Sequence, residues 1–344
     1  MKRVLLVCLL LFAANVRAEE PVLKIAVMSD VQGMPSAEDA GMRNLERALD
    51  VFAELRPDVV VNAGDINDSG NDADAVRYYK ARCDIRLGKL PHVACLGNHE
   101  IGFVREENRE RRTRDVCLAD FNAVFGDGPS AVVHKVLGGY DFISIAVGST
   151  EGYASGDVVT LKAELDAAVA RDAKKPIFVV THFHPLDTVN SSDSARNDSG
   201  LRALFNAYPQ VVNLSGHTHN PLRDPRSIWQ GEFTVIDTST LCYGCIEMEP
   251  PAANQVSCLI PYGHESVGCL FLEVYADRIV VRRFSARDRQ EIEPDRRWTV
   301  AVPYDPKSPV YPFAARAAKE RVPEFGPDAE PTLWYDYGYV YMMF

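Results

Sequence analysis

Residues 92–100 read His-Val-Ala-Cys-Leu-Gly-Asn-His-Glu, and this stretch decides how the fold is interpreted. The apolar run 92–96 predicts a short buried strand. Gly97-Asn98-His99-Glu100 follows that strand directly. These four residues combine a turn-forming glycine with three side chains that bind metals or move protons. The stretch therefore predicts a strand that ends in a functional site.

The same pattern occurs at four other predicted strand ends. The strands are residues 22–28, 58–61, 177–181 and 211–214. The polar clusters that follow them are Asp30-Val31-Gln32, Gly64-Asp65-Ile66-Asn67-Asp68, His182-Phe183-His184 and Gly216-His217-Thr218-His219. Open α/β sheets bind ligands at the carboxyl ends of their strands. We therefore expect the five loops to converge on one site.

The segments between these strands have helical periodicity. One helix face is predicted from Leu45, Ala48, Leu49, Phe52 and Leu55, and another from Val158, Leu161, Leu165 and Ala168. Runs 140–147, 268–275 and 278–284 predict further strands without intervening helices. The expected fold class is α/β, an α+β sandwich in which two mixed β-sheets are flanked by helices and the site lies at the strand carboxyl ends.

The first residues predict a signal peptide. Lys2 and Arg3 precede the apolar run 4–14, and Val16-Arg17-Ala18 has the small-residue pattern of a cleavage site. The run is too short to span a bilayer, which needs about 20 apolar residues. We expect cleavage after Ala18 and export to the periplasm or the extracellular space, with an uncleaved anchor as the alternative.

The charge balance restricts the possible partners. The 344 residues carry a net charge of −11, and cleavage would make it −14 because residues 1–18 contain three basic residues and no acidic one. An acidic chain without a basic block does not favour a nucleic-acid polymer or stable membrane insertion. Nothing in the sequence specifies an oligomeric state.

The predicted chain organisation has three parts. Residues 1–18 form the signal peptide, and residues 19–285 form the domain that contains the strand-end motifs. Residues 286–344 form a Pro-rich extension that wraps this domain. Eight of the 21 prolines lie in this extension, and proline favours extended backbone over helix.

The cysteines predict disulfides, because export allows them to persist. The residues Cys242, Cys245, Cys258 and Cys269 cluster in a Pro- and Gly-rich stretch and suggest two bridges. A zinc site built from the same four thiols is the alternative, since Cys242-x-x-Cys245 has ligand spacing. Cys83 and Cys117 are expected to form a third bridge.

The strand-end motifs are similar to those of the calcineurin-like metallophosphoesterases. That family carries Asp-x-His, Gly-Asp-x-x-(Asp/Asn), Gly-Asn-His-(Asp/Glu), a strand-terminal His and Gly-His-x-His, and four of these five blocks match here, over about residues 22–284. The resemblance implies a β-sandwich with two divalent metal ions. It assigns Asp30, Gln32, Asp65 and His219 to one ion, and Asp65, Asn98, His182 and His217 to the other, so that Asp65 bridges them.

Gln32 departs from the family pattern, because most members have histidine there. Manganese-dependent ADP-ribose/CDP-alcohol diphosphatases share the Asp-x-Gln block, and the chain resembles that branch. An amide oxygen suits a harder ion than an imidazole nitrogen does. The expected cofactor is therefore two manganese ions, with iron or zinc as alternatives.

Two such ions supply the chemistry of phosphoester hydrolysis. Held about 3.5–4 Å apart, they bind the attacking and leaving oxygens and lower the pKa of a bridging water. A hydroxide between the ions is the expected nucleophile. His99 follows the ligand Asn98 and can face the substrate, so we predict that it stabilises the transition state and protonates the leaving oxygen.

Candidate substrate-binding residues lie beyond His219 and beyond the Gly-Asn-His-Glu motif. Arg223 and Arg226 are of a type that grips phosphate through paired hydrogen bonds. Trp229 is a candidate for stacking on a base or sugar. The alternative is an ordered turn in which arginine pairs with Asp224 and Trp229 lies in the core. Arg105 is a further candidate.

The sequence thus predicts an exported, metal-dependent phosphoester hydrolase. Its expected substrate is a small phosphorylated or nucleotide-type compound, cleaved at a phosphodiester or pyrophosphate bond. A phosphomonoesterase of the same fold is the alternative among enzymes. A noncatalytic binding scaffold with this fold is the alternative from another class, and seven of the eight ligand assignments plus His99 argue against it.

Overall fold

The computed structural model describes residues 19–68, 73–102, 113–189, 198, 200–246, 258–259, 266–313, 332–336 and 339–343. The predicted signal peptide and Arg105 lie outside the described residues. No described helix is both long and apolar enough to cross a membrane.

The described residues form six helices and 17 strands. The helices are α1 (Ala40–Leu55), α2 (Ala73–Leu87), α3 (Asn98–Ile101), α4 (Arg114–Val124), α5 (Ser155–Arg171) and α6 (Leu201–Phe205). The strands are β1 (Leu23–Met28), β2 (Val59–Asn62), β3 (His92–Ala94), β4 (Val132–Leu137), β5 (Tyr140–Ile145), β6 (Ile177–Thr181), β7 (Val211–Ser215), β8 (Ile228–Gln230), β9 (Thr234–Asp237), β10 (Cys245–Ile246), β11 (Cys258–Leu259), β12 (Gly268–Val274), β13 (Arg278–Ser285), β14 (Gln290–Ile292), β15 (Trp298–Ala301), β16 (Thr332–Asp336) and β17 (Tyr339–Met343).

Two mixed sheets form the body of the protein. The first has the strand order β14-β13-β12-β1-β2-β3, with β15 also paired to β13. Its strands β1, β2 and β3 are parallel. The second has the order β4-β5-β6-β7-β9-β8, with β5, β6, β7 and β9 parallel. The predicted fold class, two mixed sheets with helices outside, is confirmed.

Two apolar cores follow from the alternation of side chains along the strands. In β1, Leu23, Ile25 and Val27 belong to a core that contains residues of both sheets and no helical residue. Ala26 and Met28 belong to the other core, which includes the helices. Successive strand residues point to opposite faces, so each central strand is buried on both sides. This explains the continuous apolar runs in the sequence.

Helix α1 covers the first sheet through the face that the periodicity predicted. The Asp39 side chain caps the helix by accepting a hydrogen bond from the Met42 N–H at 3.0 Å. Leu45, Leu49 and Phe52 are fully buried in the helix-side core. The chain between β1 and β2 is thereby fixed, and with it the position of the loop that begins at Asp30.

The sandwich brings the strand ends of both sheets together. At the end of β6, His182 Nδ1 lies 2.9 Å from the carbonyl oxygen of Ala63, at the end of β2. After β9, the Leu241 N–H donates to the Asp30 carbonyl at 3.1 Å. Loops that are far apart in sequence therefore meet at one edge.

The extension after residue 285 differs from its prediction. Strands β14 and β15 pair with β13 in the first sheet, and Trp298 and Val300 lie in the core between the sheets. The polar Thr299 separates these two apolar residues, which is the alternation of a half-buried strand. The high proline content concealed this short strand, and the boundary at 285/286 does not mark the end of the packed domain.

The cysteines also differ from their prediction. Within the described residues Cys83, Cys95, Cys117, Cys242, Cys245 and Cys269 are thiols. Cys83 on α2 and Cys117 on α4 are buried in the helix-side core, where each packs as a small apolar side chain. The expected bridge between them is absent. The Cys258 side chain lies outside the described residues, so the predictions that involve it stay predictions.

Candidate metal centre

The loops at the shared edge have unusual backbone conformations. Asp30, Gln32, Asp65, His217 and His219 have φ angles of 49°, 42°, 53°, 74° and 56°. Side-chain-bearing residues rarely adopt the left-handed region, and such residues concentrate at functional sites. Five of the seven predicted metal ligands share this conformation, which turns their side chains into the site at the cost of local strain.

The first group of ligand-type side chains surrounds Asp65. His182 Nε2 lies 3.1 Å from Asp65 Oδ2 and 2.8 Å from Asn98 Oδ1. One ligand atom each of Asp65, His182 and His217 lies within 4.8 Å of the others. All four residues are buried or nearly so. The four residues that the sequence assigns to the second ion therefore lie close together.

The second group of ligand-type side chains surrounds Asp30. His219 Nε2 lies 3.0 Å from Asp30 Oδ1, and the His217 N–H donates to Asp30 Oδ2 at 3.0 Å. The two groups are joined through the backbone, because the Gln32 N–H donates to the Asp65 carbonyl at 3.0 Å. All seven predicted ligands therefore belong to one connected cluster.

The donor set fits a pair of divalent cations. Gln32 Oε1 is buried and accepts no hydrogen bond from any described residue. Leaving such groups unsatisfied is costly unless a ligand completes them. Carboxylate, amide and imidazole donors together suit manganese, iron or zinc.

Hydrogen bonds on the outer side of each imidazole fix which nitrogen faces the cluster. The Nδ1 atom of His182 faces the Ala63 carbonyl, and that of His219 faces the Tyr243 carbonyl at 2.8 Å. Each Nδ1 therefore donates its proton outward and leaves Nε2 as the inward atom. This is the arrangement that a metal-binding histidine requires.

Electrostatics at the cluster favours a cation. Burial raises the pKa of Asp65, but His182 outweighs burial and holds that pKa below its ordinary value. Burial lowers the pKa of His182, but Asp65 reverses this and raises it to about 9. Burial and the charge on His182 lower the pKa of His217 well below its ordinary value. The centre therefore already holds positive charge opposite its carboxylates, where a metal ion would displace protons.

Glu100 has a role that the sequence analysis did not assign. Its buried carboxylate accepts the backbone N–H groups of Gly97 at 2.6 Å, Ile66 at 2.7 Å, Asp65 at 3.1 Å and Asn67 at 3.2 Å. Burial, with a further contribution from Asp65, raises the pKa of Glu100 to about 7. The side chain ties the loop after β2 to the loop after β3, and its position in the Gly-Asn-His-Glu motif was the available signal.

His99 lies at the rim of the cluster. Its N–H donates to Asp65 Oδ1 at 2.9 Å, and its Nδ1 lies 2.9 Å from the Asp68 carbonyl oxygen. The side chain keeps 16% of its surface exposed. Nδ1 therefore donates a hydrogen bond to the Asp68 carbonyl oxygen. Nε2 is the nitrogen that can exchange a proton with a bound substrate.

The predicted substrate-binding residues are not brought into this cluster. Trp229 is 3% exposed and packs against Phe233, with ring centroids 5.3 Å apart. The Arg202 guanidinium lies 4.1 Å from the Trp229 ring centroid. Arg226 is paired with Asp224, with Nη2 2.8 Å from Oδ2. The structure thus favours the alternative, an ordered turn and a core tryptophan, over the predicted substrate contacts.

Arg223 and Arg105 remain candidates. Arg223 is exposed on the turn after His219, and Arg105 lies outside the described residues. Their predicted role in binding phosphate stays a prediction.

The fold and the cluster define a class of protein. A sandwich of two mixed sheets with carboxylates, amides and imidazoles at a shared strand edge is the architecture of a metal-dependent hydrolase. Residues 23–221 match the model of the calcineurin-like phosphoesterase family. This match covers more than half of the chain, and the chain belongs to that family. The protein is a metal-dependent phosphoesterase, and a pair of divalent ions is typical of the family.

Solved structures share the fold. A dimetal phosphatase from Danio rerio aligns with a TM-score of 0.55 and 13% identity, over 83% of this chain and 100% of that chain. A purple acid phosphatase from yellow lupin seeds aligns with a TM-score of 0.56 and 10% identity, over 89% of this chain and 57% of that chain. No curated protein matches the sequence significantly.

Gly97 provides a test of how closely the two loops must approach. A Cβ atom at Gly97 would lie 2.2 Å from Asp65 Oδ1 and 2.7 Å from Asp65 N. We expect Gly97→Ala to displace Asp65 and to weaken metal binding at least tenfold, measured by manganese titration. Gly128→Ala is the matched control, because no atom lies within 4 Å of its Cβ position. Equal metal binding by the two variants would contradict the tight packing of Asp65.

Proposed function

We propose that the protein hydrolyses a phosphodiester or pyrophosphate bond of a small or nucleotide-type substrate with two divalent ions. The observation that carries this proposal is the position of Asp65. Its carboxylate is buried beside His182, and its backbone carbonyl accepts the Gln32 N–H. We assign Asp65 as the ligand shared by both ions.

We divide the remaining ligands around Asp65 into two sets. Asp30, Gln32 and His219 would complete one ion, and Asn98, His182 and His217 the other. When bound, the two ions supply Lewis-acid activation of water and of the phosphoryl oxygens. The protein's own contribution is to hold seven donors in fixed orientations before substrate arrives, which avoids reorganisation during the reaction.

His99 is the proposed general acid. Because the Asp68 carbonyl engages Nδ1, the Nε2–H of the protonated ring is the group that can donate to the leaving oxygen. Asp65 Oδ2 lies 3.9 Å from Nε2, so the inward face of the ring borders the ligand cluster. Proton donation matters most for leaving groups that are poor in their anionic form.

Gln32 supports the choice of metal and of bond. Its unpaired amide oxygen offers a neutral oxygen donor where an imidazole is usual, and such a donor favours manganese over softer ions. The Asp-x-Gln block is also the feature shared with the diphosphatase branch. On this basis we place phosphodiester and pyrophosphate substrates ahead of phosphomonoesters.

Export completes the proposal. The basic start, apolar run and small-residue pattern of residues 1–18 support cleavage after Ala18 and an activity outside the cytoplasm.

Metal dependence provides the first test. Protein lacking residues 1–18 is assayed on bis(p-nitrophenyl) phosphate, p-nitrophenyl phosphate and ADP-ribose with Mn²⁺, Zn²⁺, Fe²⁺ or no added metal. We expect chelation to abolish hydrolysis and Asp65→Asn to lower kcat at least 10³-fold. Asp141→Asn should keep near wild-type activity, because Asp141 is a buried carboxylate at the end of β5 that lies away from the metal centre. Activity that survives chelation would refute the proposal.

Preference among the three substrates decides the bond type. Faster turnover of ADP-ribose or the diester than of the monoester is expected. A protein that binds metal but hydrolyses none of them would instead favour the binding scaffold.

His99→Ala tests the general acid. Without proton donation, kcat should fall by about 10²–10⁴ for esters whose leaving group is a poor anion. It should fall much less for p-nitrophenyl esters, because p-nitrophenolate needs little protonation. The measurement is kcat across a series of aryl esters with leaving groups of increasing pKa, with metal content as the control. An equal loss across the series would mean that His99 does not donate the proton.

Gln32→His tests the departure from the family pattern. Imidazole should bind zinc or iron more tightly relative to manganese than the amide does. We expect the ratio of manganese to zinc affinity to fall, measured by competitive titration. An unchanged ratio and unchanged activity would show that Gln32 is not a ligand.

A further inference from the structure

A sixth strand end reaches the metal centre. Strand β9 is parallel to β7, with Asp237 opposite Ser215 in the register. The Gly-His-x-His loop begins directly after Ser215, so Asp237 lies beside that loop at the same sheet edge. No motif in the sequence marks this strand or Asp237.

Asp237 is fully buried and holds the centre of the Gly-His-x-His loop. Its Oδ2 accepts a short hydrogen bond from the Thr218 hydroxyl, and its Oδ1 accepts the Ser239 N–H at 2.8 Å. The same hydroxyl oxygen accepts the Asn220 N–H at 3.2 Å. Thr218 stands between His217 and His219, so this chain of hydrogen bonds restrains both ligand residues.

The residues after Asp237 extend the restraint to Asp30. The Thr240 hydroxyl and the Leu241 N–H both donate to the Asp30 carbonyl, each at 3.1 Å. Further along, the Tyr243 carbonyl accepts from His219 Nδ1 at 2.8 Å, and the Cys245 N–H donates to the His219 carbonyl at 2.8 Å. The segment 237–245 therefore surrounds Asp30 and His219, the ligands of one ion.

Two further ligands, His182 and Asp65, are held by other groups. His182 is fixed by the Ala63 carbonyl, and Asp65 is tied by its backbone to Glu100. His217, which completes the ion site of His182 and Asp65, adjoins Thr218 and is restrained by the same hydroxyl.

We propose that Asp237 is a positioning residue that acts through Thr218 to set the affinity of the ion site formed by Asp30 and His219. This inference rests on the proposed two-metal function. Loss of a support that orients metal-binding histidines typically costs 10–100-fold in metal affinity. That loss should be larger at the site of Asp30 and His219, because the segment 237–245 also holds the Asp30 carbonyl and His219 Nδ1.

The test compares manganese binding by wild-type protein with that by Thr218→Val, which removes the hydroxyl at nearly constant shape. We expect wild type to bind two ions, and Thr218→Val to bind the ion of Asp30 and His219 about 10–100-fold more weakly, with a smaller loss for the other ion. The electron paramagnetic resonance signal of a coupled manganese pair should decrease accordingly. Asp237→Asn should weaken binding of the same ion. Thr218→Ser should bind that ion as tightly as wild type does, because serine keeps the hydroxyl.

Thr234→Val is the matched control. Thr234 lies on the same strand and is fully buried, and its hydroxyl accepts a hydrogen bond from the Gln230 side chain at 3.2 Å. It should leave both ions unchanged. Two ions bound normally by Thr218→Val and Asp237→Asn would overturn the role of Asp237 while leaving the two-metal function intact. Failure of wild type itself to bind two ions would overturn the proposed function.

Discussion

The carboxylate of Asp65 is the group on which the rest of the centre depends. It is buried where the two sheets meet, and both of its oxygens face positive or polar partners. An uncompensated buried charge costs about 3–5 kcal/mol, so the fold must supply His182, the His99 N–H and a bound cation. The surrounding loops are explained by this requirement.

The protein meets this requirement through close approach of the backbone to the ligands rather than through large side chains. Glycines 64, 97 and 216 lie so close to His182, Asp65 and Asp30 that a Cβ atom would come within 2.7 Å of a polar side-chain atom of each. Left-handed conformations at the ligand residues then turn the side chains inward. A net charge of −11 argues against polyanion binding, but two divalent ions would reverse the local field. An acidic protein can therefore bind a small anionic substrate at this one place.

The strand ends could be predicted from the sequence, and the supports behind them could not. Five apolar runs followed by ligand-type residues are local signals, and the sheets assembled them as parallel strands require. The Gly-Asn-His-Glu motif marks Glu100 but does not show which distant amides it accepts from, and Asp237 acts through the hydroxyl of Thr218, which no local pattern connects to it. The sequence left Trp229 open between a substrate contact and a core residue, because an indole ring suits both, and its packing against Phe233 decides between them. The Pro-rich composition of residues 286–344 concealed β15. Its alternation is also hard to recognise because the strand has only four residues.

Anomalous diffraction from crystals of the manganese-loaded protein tests the central claim most directly. The account predicts two peaks of similar height, one contacting Asp30, Gln32 and His219 and the other contacting Asn98, His182 and His217, with Asp65 contacting both. A single peak, or a pair of peaks that Asp65 does not bridge, would contradict it.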